Sequence, residues 1–121
     1  MKRLLLATST TMMLCFSLSA FALNFSFLND SPVESFNKAD RQLQDAAADK
    51  ALDSVANGKK LSWTNAKTGN GGFVQPLSTF KRDGMICRNL KIFNQDYKNR
   101  TDEYVFLFCK YRDGWKMPGG A

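Results

Sequence analysis

Histidine is absent from the 121 residues. Its absence removes the usual general base of hydrolases and the commonest transition-metal ligand. Cysteine is scarce as well. Of three, Cys15 sits in an apolar N-terminal stretch, which leaves Cys87 and Cys109, too few for a structural zinc site. Basic runs are short: in the body of the chain none exceeds Lys59-Lys60 or Lys81-Arg82, an argument against a nucleic-acid face. No cofactor and no metal are expected.

The N-terminus has the three-part pattern of a secretory signal. Met1-Lys2-Arg3 is a positive start, Leu4 to Leu18 is apolar and uncharged, and Ala20-Phe21-Ala22 offers small residues where a signal peptidase reads. A membrane anchor is the rival reading, since the uncharged stretch runs to Asn29. Thr8 to Thr11 and the serines make it only moderately apolar, and no basic stop-transfer cluster follows. Cys15 as a lipidated cysteine fits poorly, because Met13-Leu14 precede it and the apolar region continues beyond. The expected division is a signal peptide at 1–22 and a single domain at 23–121. Losing Lys2 and Arg3 lowers the formal net charge from +6 to +4. A mildly basic surface permits peripheral contact with anionic lipid or lipopolysaccharide without selecting either.

The expected fold is α+β: one N-terminal amphipathic helix packed on a four- to five-stranded antiparallel β-meander. Ser31, Pro32 and Glu34 read as a capping box with proline at the first helical position. Val33, Phe36, Ala39, Leu43, Ala46, Ala47, Leu52 and Val55 then recur at helical spacing, so a helix is expected over 32–56, ended by Asn57-Gly58. Its stripe is thin and alanine-rich, suited to lying flat on a sheet or against another chain. From 60 to 117 the period is two. Strands are expected at 60–64, 73–80, 85–93 and 102–111, with a further turn at Asp113-Gly114 before Trp115. Asn65 to Gly72 reads as a turn, Arg82-Asp83-Gly84 as a tight hairpin, and Pro76 as an edge or bulge.

Two cysteines in an exported chain predict a disulfide between Cys87 and Cys109. If they oppose each other in an antiparallel pair, opposed residue numbers sum to 196. That rule pairs Arg88 with Phe108, Leu90 with Phe106 and Ile92 with Tyr104, and puts the turn at Tyr97-Lys98-Asn99. Leu90, Phe106, Ile92 and Tyr104 share one face, which the helix could cover. The cysteines fall on the other, mixed face with Phe93, Val105 and Leu107.

The segment Trp63-Thr64-Asn65-Ala66-Lys67-Thr68-Gly69-Asn70-Gly71-Gly72-Phe73-Val74-Gln75-Pro76 resembles W-x-N-x-x-T-G-x-x-G-x-V-x-P. That pattern marks the C-terminal domain of bacterial surface-antigen proteins, the group that includes the rickettsial seventeen-kilodalton surface antigen. Cys87-Arg88 is similar to the family's C-R, and Asp113-Gly114-Trp115 to its ending after the second cysteine. The resemblance covers Leu61 to Trp115. It implies a small β-rich domain of an outer-membrane-associated or periplasmic protein, with no established enzymatic activity. The glycine-rich repeat and lipidated cysteine of the antigen type are missing, so anchoring is not carried over.

The expected function is therefore a non-enzymatic structural or interaction module of the bacterial envelope, periplasmic or outer-membrane associated, such as a component of a secretion apparatus. Its partner would be an envelope protein or outer-membrane component, and no nucleic acid. Trp63, Phe73, Phe80, Tyr97 and Tyr111, beside Lys81 and Arg82, are the candidate binding surface, since exposed aromatics among cations are common interface material. A periplasmic inhibitor or chaperone-like binder is the alternative. A small hydrolase using Asp83 or Asp113 is weaker, because both aspartates precede glycine in turns and have no paired base.

Overall fold

A computed structural model describes residues 31–119. The expected signal at 1–22 and the lead-in up to Asp30 lie outside the described residues.

The helical region is shorter and more broken than its periodicity suggests. A 3₁₀ turn occupies Pro32–Ser35, the chain turns extended at Phe36 and Asn37, and the α-helix proper, α1, runs from Lys38 to Ser54. Ser31 precedes the 3₁₀ turn but makes no side-chain cap. The capping box belongs to Asn37 and Asp40. Asn37 Oδ1 accepts from Asp40 N at 2.9 Å, and Asp40 Oδ2 accepts from Asn37 N at 2.9 Å. The break resets the helical phase. The buried line is Asp40, Ala47, Ala51 and Leu52, while Ala39, Leu43 and Ala46 from the expected stripe face outward. Phe36, just before the helix, is buried by packing edge-on to Trp63.

Five strands follow as an antiparallel meander in chain order: β1 (Leu61–Asn65), β2 (Asn70–Arg82), β3 (Met85–Gln95), β4 (Thr101–Tyr111) and β5 (Gly114–Lys116). The connection from β1 to β2 is only Ala66–Gly69. Gly71 and Gly72, expected in the turn, are strand residues opposite Thr64 and Trp63. They serve close approach: a Cβ on Gly72 would stand 2.0 Å from the Phe93 carbonyl oxygen, and one on Gly71 2.8 Å from that of Trp63. The register slips between Pro76 and Ser78, leaving Leu77 as a bulge where proline cannot donate to the ladder. Asp83 and Gly84, at φ 51° and 78°, close the β2–β3 hairpin as a two-residue turn with both residues left-handed.

Strands β3 and β4 pair in the register that the cysteines imply, from Cys87 opposite Cys109 to Gln95 opposite Thr101. Cys87 and Cys109 form a disulfide, and both are fully buried. Helix α1 lies over β1 and β2 on the opposite face. The core there is Phe36, Ala47, Ala51, Leu52, Trp63, Val74 and Leu90, edged by Ile92, Phe108 and Trp115. Burying each large apolar side chain contributes about 1.5–3 kcal/mol. The cover ends short of β4. Leu90 is fully buried, but Tyr104 and Phe106 on the same face stay 45% and 39% exposed.

Candidate functional site

The turn that carries the family-like pattern is built around one buried carboxylate. Asp40 is fully buried, and its two oxygens accept four bonds. Oδ1 takes Thr68 Oγ1 at 2.7 Å and Asn65 Nδ2 at 2.8 Å; Oδ2 takes Asn37 N at 2.9 Å and Asn70 Nδ2 at 3.0 Å. Burial works against the charge, but bonds from Asn70, Asn37, Thr68 and Asn65 outweigh it and hold the carboxyl below its usual range. The charge also sits in the first turn of α1, where the helix dipole favours it.

Asn70 carries the network onward. It is 2% exposed. Its Nδ2 also donates to Ser35 O at 3.2 Å, and its Oδ1 accepts from Tyr97 N at 2.9 Å. One side chain thus ties the 3₁₀ turn, the helix start and the β3–β4 loop together. That loop has its own buried anchor. Asp96 accepts from the backbone N–H of Lys98 and Arg100 and from Arg100 Nε at 2.6 Å. Burial opposes this charge too, and the backbone and side-chain bonds from Arg100 lead those that keep the carboxyl below its usual range.

Arg88 closes the other end of the helix. Its guanidinium donates to the carbonyls of Ala51, Leu52 and Val55 at 3.0, 2.8 and 2.7 Å, to Asn57 Oδ1 at 2.8 Å, and from Nε to Thr79 Oγ1 at 2.9 Å. The Leu52 and Val55 carbonyls lie at the helix end, where intrahelical donors run out, and that of Ala51 also accepts from Val55 N at 3.0 Å; a cation there complements the dipole. Both ends of α1 are therefore clamped to the sheet by polar side chains.

What remains for a ligand lies on the helix-free face. Below the β1–β2 and β3–β4 turns is a groove of about 490 Å³, lined by Thr64, Gly71, Phe73, Phe93, Gln95 and Tyr97 among others. Phe73 stacks on Phe93 at 4.7 Å, Lys60 Nζ lies 4.4 Å from the Phe73 ring centre, and Tyr97 is 56% exposed. Glycine at 71 keeps the floor low. A flat aromatic wall beside amides and hydroxyls can hold a chain with apolar and polar faces.

The candidate surface read from the sequence divides. Phe73 and Tyr97 meet in this groove. Phe80 (40% exposed) lies on the same face beyond the disulfide, opposite Cys87, and Tyr111 is half-buried at the turn into β5. Lys81 and Arg82 are exposed at the tip of the β2–β3 hairpin. Trp63 also borders the groove, but its side chain points mostly to the other side of the sheet. It is 6% exposed and is part of the core beneath α1, because β1 turns that side chain toward Phe36; its Nε1 has no partner among the described residues. Asp83 occupies the left-handed turn, and Asp113 pairs with Lys116, whose ammonium leads in lowering its pKa. The sequence reading missed Asp40 and Asp96. Their signals were present as Asn37-x-x-Asp40 and as an aspartate opening a polar loop, but the first was masked by the stronger-looking Ser31 box.

No family model matches the chain, and no solved structure matches it. Curated relatives do. Over 53 residues, 43% of this chain, it is 34% identical to the 17 kDa surface antigen of Rickettsia amblyommatis and to that of Rickettsia prowazekii (strain Madrid E), and 32% identical to that of Rickettsia australis. The chain spans about a third of the length of these relatives, 34%, 33% and 34% respectively. In this segment the chain is similar to the rickettsial 17 kDa surface antigens, the group its Trp63–Pro76 pattern resembles.

Proposed function

We propose that this chain is an exported, non-enzymatic module of the bacterial envelope that docks on an envelope component through the glycine-floored groove of its helix-free face. The relatives' name, surface antigen, supports a place at the surface or in the envelope. The observation that carries the docking role is the groove itself: the stacked pair Phe73 and Phe93, with Tyr97 exposed beside them. The polar groups of the neighbouring turn are not competitors for this role, since Asn65, Thr68 and Asn70 are bonded inward to Asp40.

A photo-crosslinking residue placed at Tyr97 in intact cells, with one at Leu43 on the outer side of α1 as control, tests the reading. A discrete adduct at 97 that is absent at 43 and weakened several-fold by Phe73→Ala supports it. No adduct, or the same adducts at both positions, defeats it. The alternative, an inhibitor or chaperone-like binder, would work by strand addition at an open sheet edge. Among the described residues such an edge exists on β4, and a crosslink there with none in the groove would favour that reading.

A further inference from the structure

The two outer edges of the sheet are finished differently. Strand β1 is five residues long and is flanked by Lys59, Lys60 and Lys67, the short, lysine-guarded form that discourages pairing. Strand β4 is eleven residues long, and β5 covers only its Cys109–Tyr111 end. Among the described residues, 101–108 have no strand on their outer side. That stretch runs against β3 without a register shift, and 103–107 contains no lysine, arginine, proline or glycine. Tyr104, Val105 and Phe106 are 45%, 52% and 39% exposed. An unguarded apolar edge of this kind templates pairing with another chain.

The β3–β4 ladder decides which backbone groups this edge offers. Asp96 N donates to Arg100 O at 3.0 Å, and these two residues continue the register that sets Cys87 against Cys109. Antiparallel pairs alternate between bonded and non-bonded, so even-numbered residues of β4 bond to β3 and odd-numbered ones turn their N–H and C=O away from it. The 4.0 Å between the Cα atoms of Cys87 and Cys109 fits a non-bonded pair. Glu103, Val105 and Leu107 therefore present the open donors and acceptors. We infer that they pair with the same three residues of a second copy, across a two-fold axis at Val105.

The register follows by elimination. Outward-bonding residues must oppose outward-bonding residues, which leaves two-fold centres at single residues of β4. Centred on Phe106, the pairing would run Glu103 of one copy into Cys109 of the other, whose outer side Lys116 already takes. Centred on Tyr104, it would bring both Asp102 and Glu103 inside the paired stretch, against Phe106 and Val105. Centred on Val105, it leaves Asp102 at the margin, where Ser31 Oγ donates to it at 3.1 Å. Glu103, which Lys91 Nζ approaches to 3.3 Å, then faces Leu107, and Val105 faces its own copy. Tyr104 and Phe106, which stack within one strand at 5.9 Å, each meet the other's counterpart across the axis. No like charges oppose each other, since the two Glu103 side chains stand four residues, about 13 Å, apart along the strands. An axis through the sheet keeps both helices on one face and turns both Phe73–Phe93 grooves to the other.

Sedimentation velocity on protein purified from cells expressing the full chain tests this. A monomer–dimer equilibrium is expected with a Kd of about 1–100 μM, because an edge-only contact is at the small end of specific interfaces. Val105→Lys, at an exposed position, should raise that Kd about 10-fold or more by placing like charges on the axis, with an unchanged circular dichroism spectrum. Val105→Cys should form a 105–105 disulfide on mild oxidation, since directly opposed bonded residues lie about 5.5 Å apart at Cα. Leu43→Cys, on the outer side of α1, should not link, and peptide mapping should find Cys87–Cys109 intact in both variants. A protein that stays monomeric up to about 1 mM overturns the inference. So does a dimer that Val105→Lys leaves unweakened, or covalent dimers that form as readily through residue 43 as through 105.

Discussion

Changing Asp40 to asparagine removes a charge and one acceptor from a site where both oxygens are fully used. Whichever oxygen becomes the amide then faces two donors: Asn65 Nδ2 and Thr68 Oγ1 on one side, or Asn37 N and Asn70 Nδ2 on the other. Hydrogen bonds to an ionised group contribute about 1.5–3 kcal/mol each, and donors left unpaired in the interior cost a comparable amount. Thr68 can fall back on Asn65 O, already 3.4 Å away, so the loss is not complete. A cost of about 3 kcal/mol follows, a large part of the roughly 5–10 kcal/mol available to a domain of this size. Urea denaturation of the disulfide-intact protein at pH 7 should show it as a lower midpoint at unchanged slope. The exposed Asp45→Asn should stay within about 0.5 kcal/mol of wild type. The pH dependence adds a second check. Asp40 has a folded pKa below its unfolded value, so its contribution is fully present above about pH 4 and is lost as pH falls through the folded pKa. The gap between wild type and Asp40→Asn should therefore narrow below about pH 4. A difference under about 1 kcal/mol at pH 7, or a gap that does not narrow in acid, would refute the clamp.

Arg88→Lys keeps the charge but cannot reproduce five donor bonds from a planar fork; a loss of about 2 kcal/mol in the same assay is expected, with helix content falling first near Ser54. Reducing the Cys87–Cys109 bond, whose cysteines are 22 positions apart, should cost about 3 kcal/mol, and reductant should have no further effect on Cys87→Ser; an unchanged wild-type melting temperature under reductant would contradict this. Gly72→Ala should lose about 2–3 kcal/mol or fail to accumulate, because backbone rather than a flexible side chain blocks the new methyl; thermal melting of Gly72→Ala against wild type checks it.

Period-two alternation was strong enough to place the first four strands to within a few residues, and the cysteine pair fixed the β3–β4 register, because one slipped residue would invert both faces. The helix start was less legible. Ser31-Pro32-x-Glu34 has the composition of a box, yet the chain uses Asn37 and Asp40, since only there can the helix carboxylate reach Asn65, Thr68 and Asn70, 25 to 30 positions away. No local pattern announces a bond of that range. For the same reason only part of the expected binding surface comes together in the fold. Phe73 and Tyr97 share a groove only because the β1–β2 and β3–β4 turns fold to the same end of the sheet, whereas the alternation of β1 already assigns Trp63 to the face of Leu61.

The double clamp on α1 has a consequence for chain length. Alanines at 47 and 51 present a nearly smooth surface that by itself would let the helix slide or roll over β1 and β2. Asp40 at one end and the Ala51–Val55 carbonyls at the other remove that freedom, so the stretch between them acts as a fixed ruler. Inserting one residue between 41 and 50 would advance the far end by 1.5 Å and turn it by about 100°, and Asp40 and Arg88 could not both be satisfied. Sequence length should therefore be rigid across that stretch.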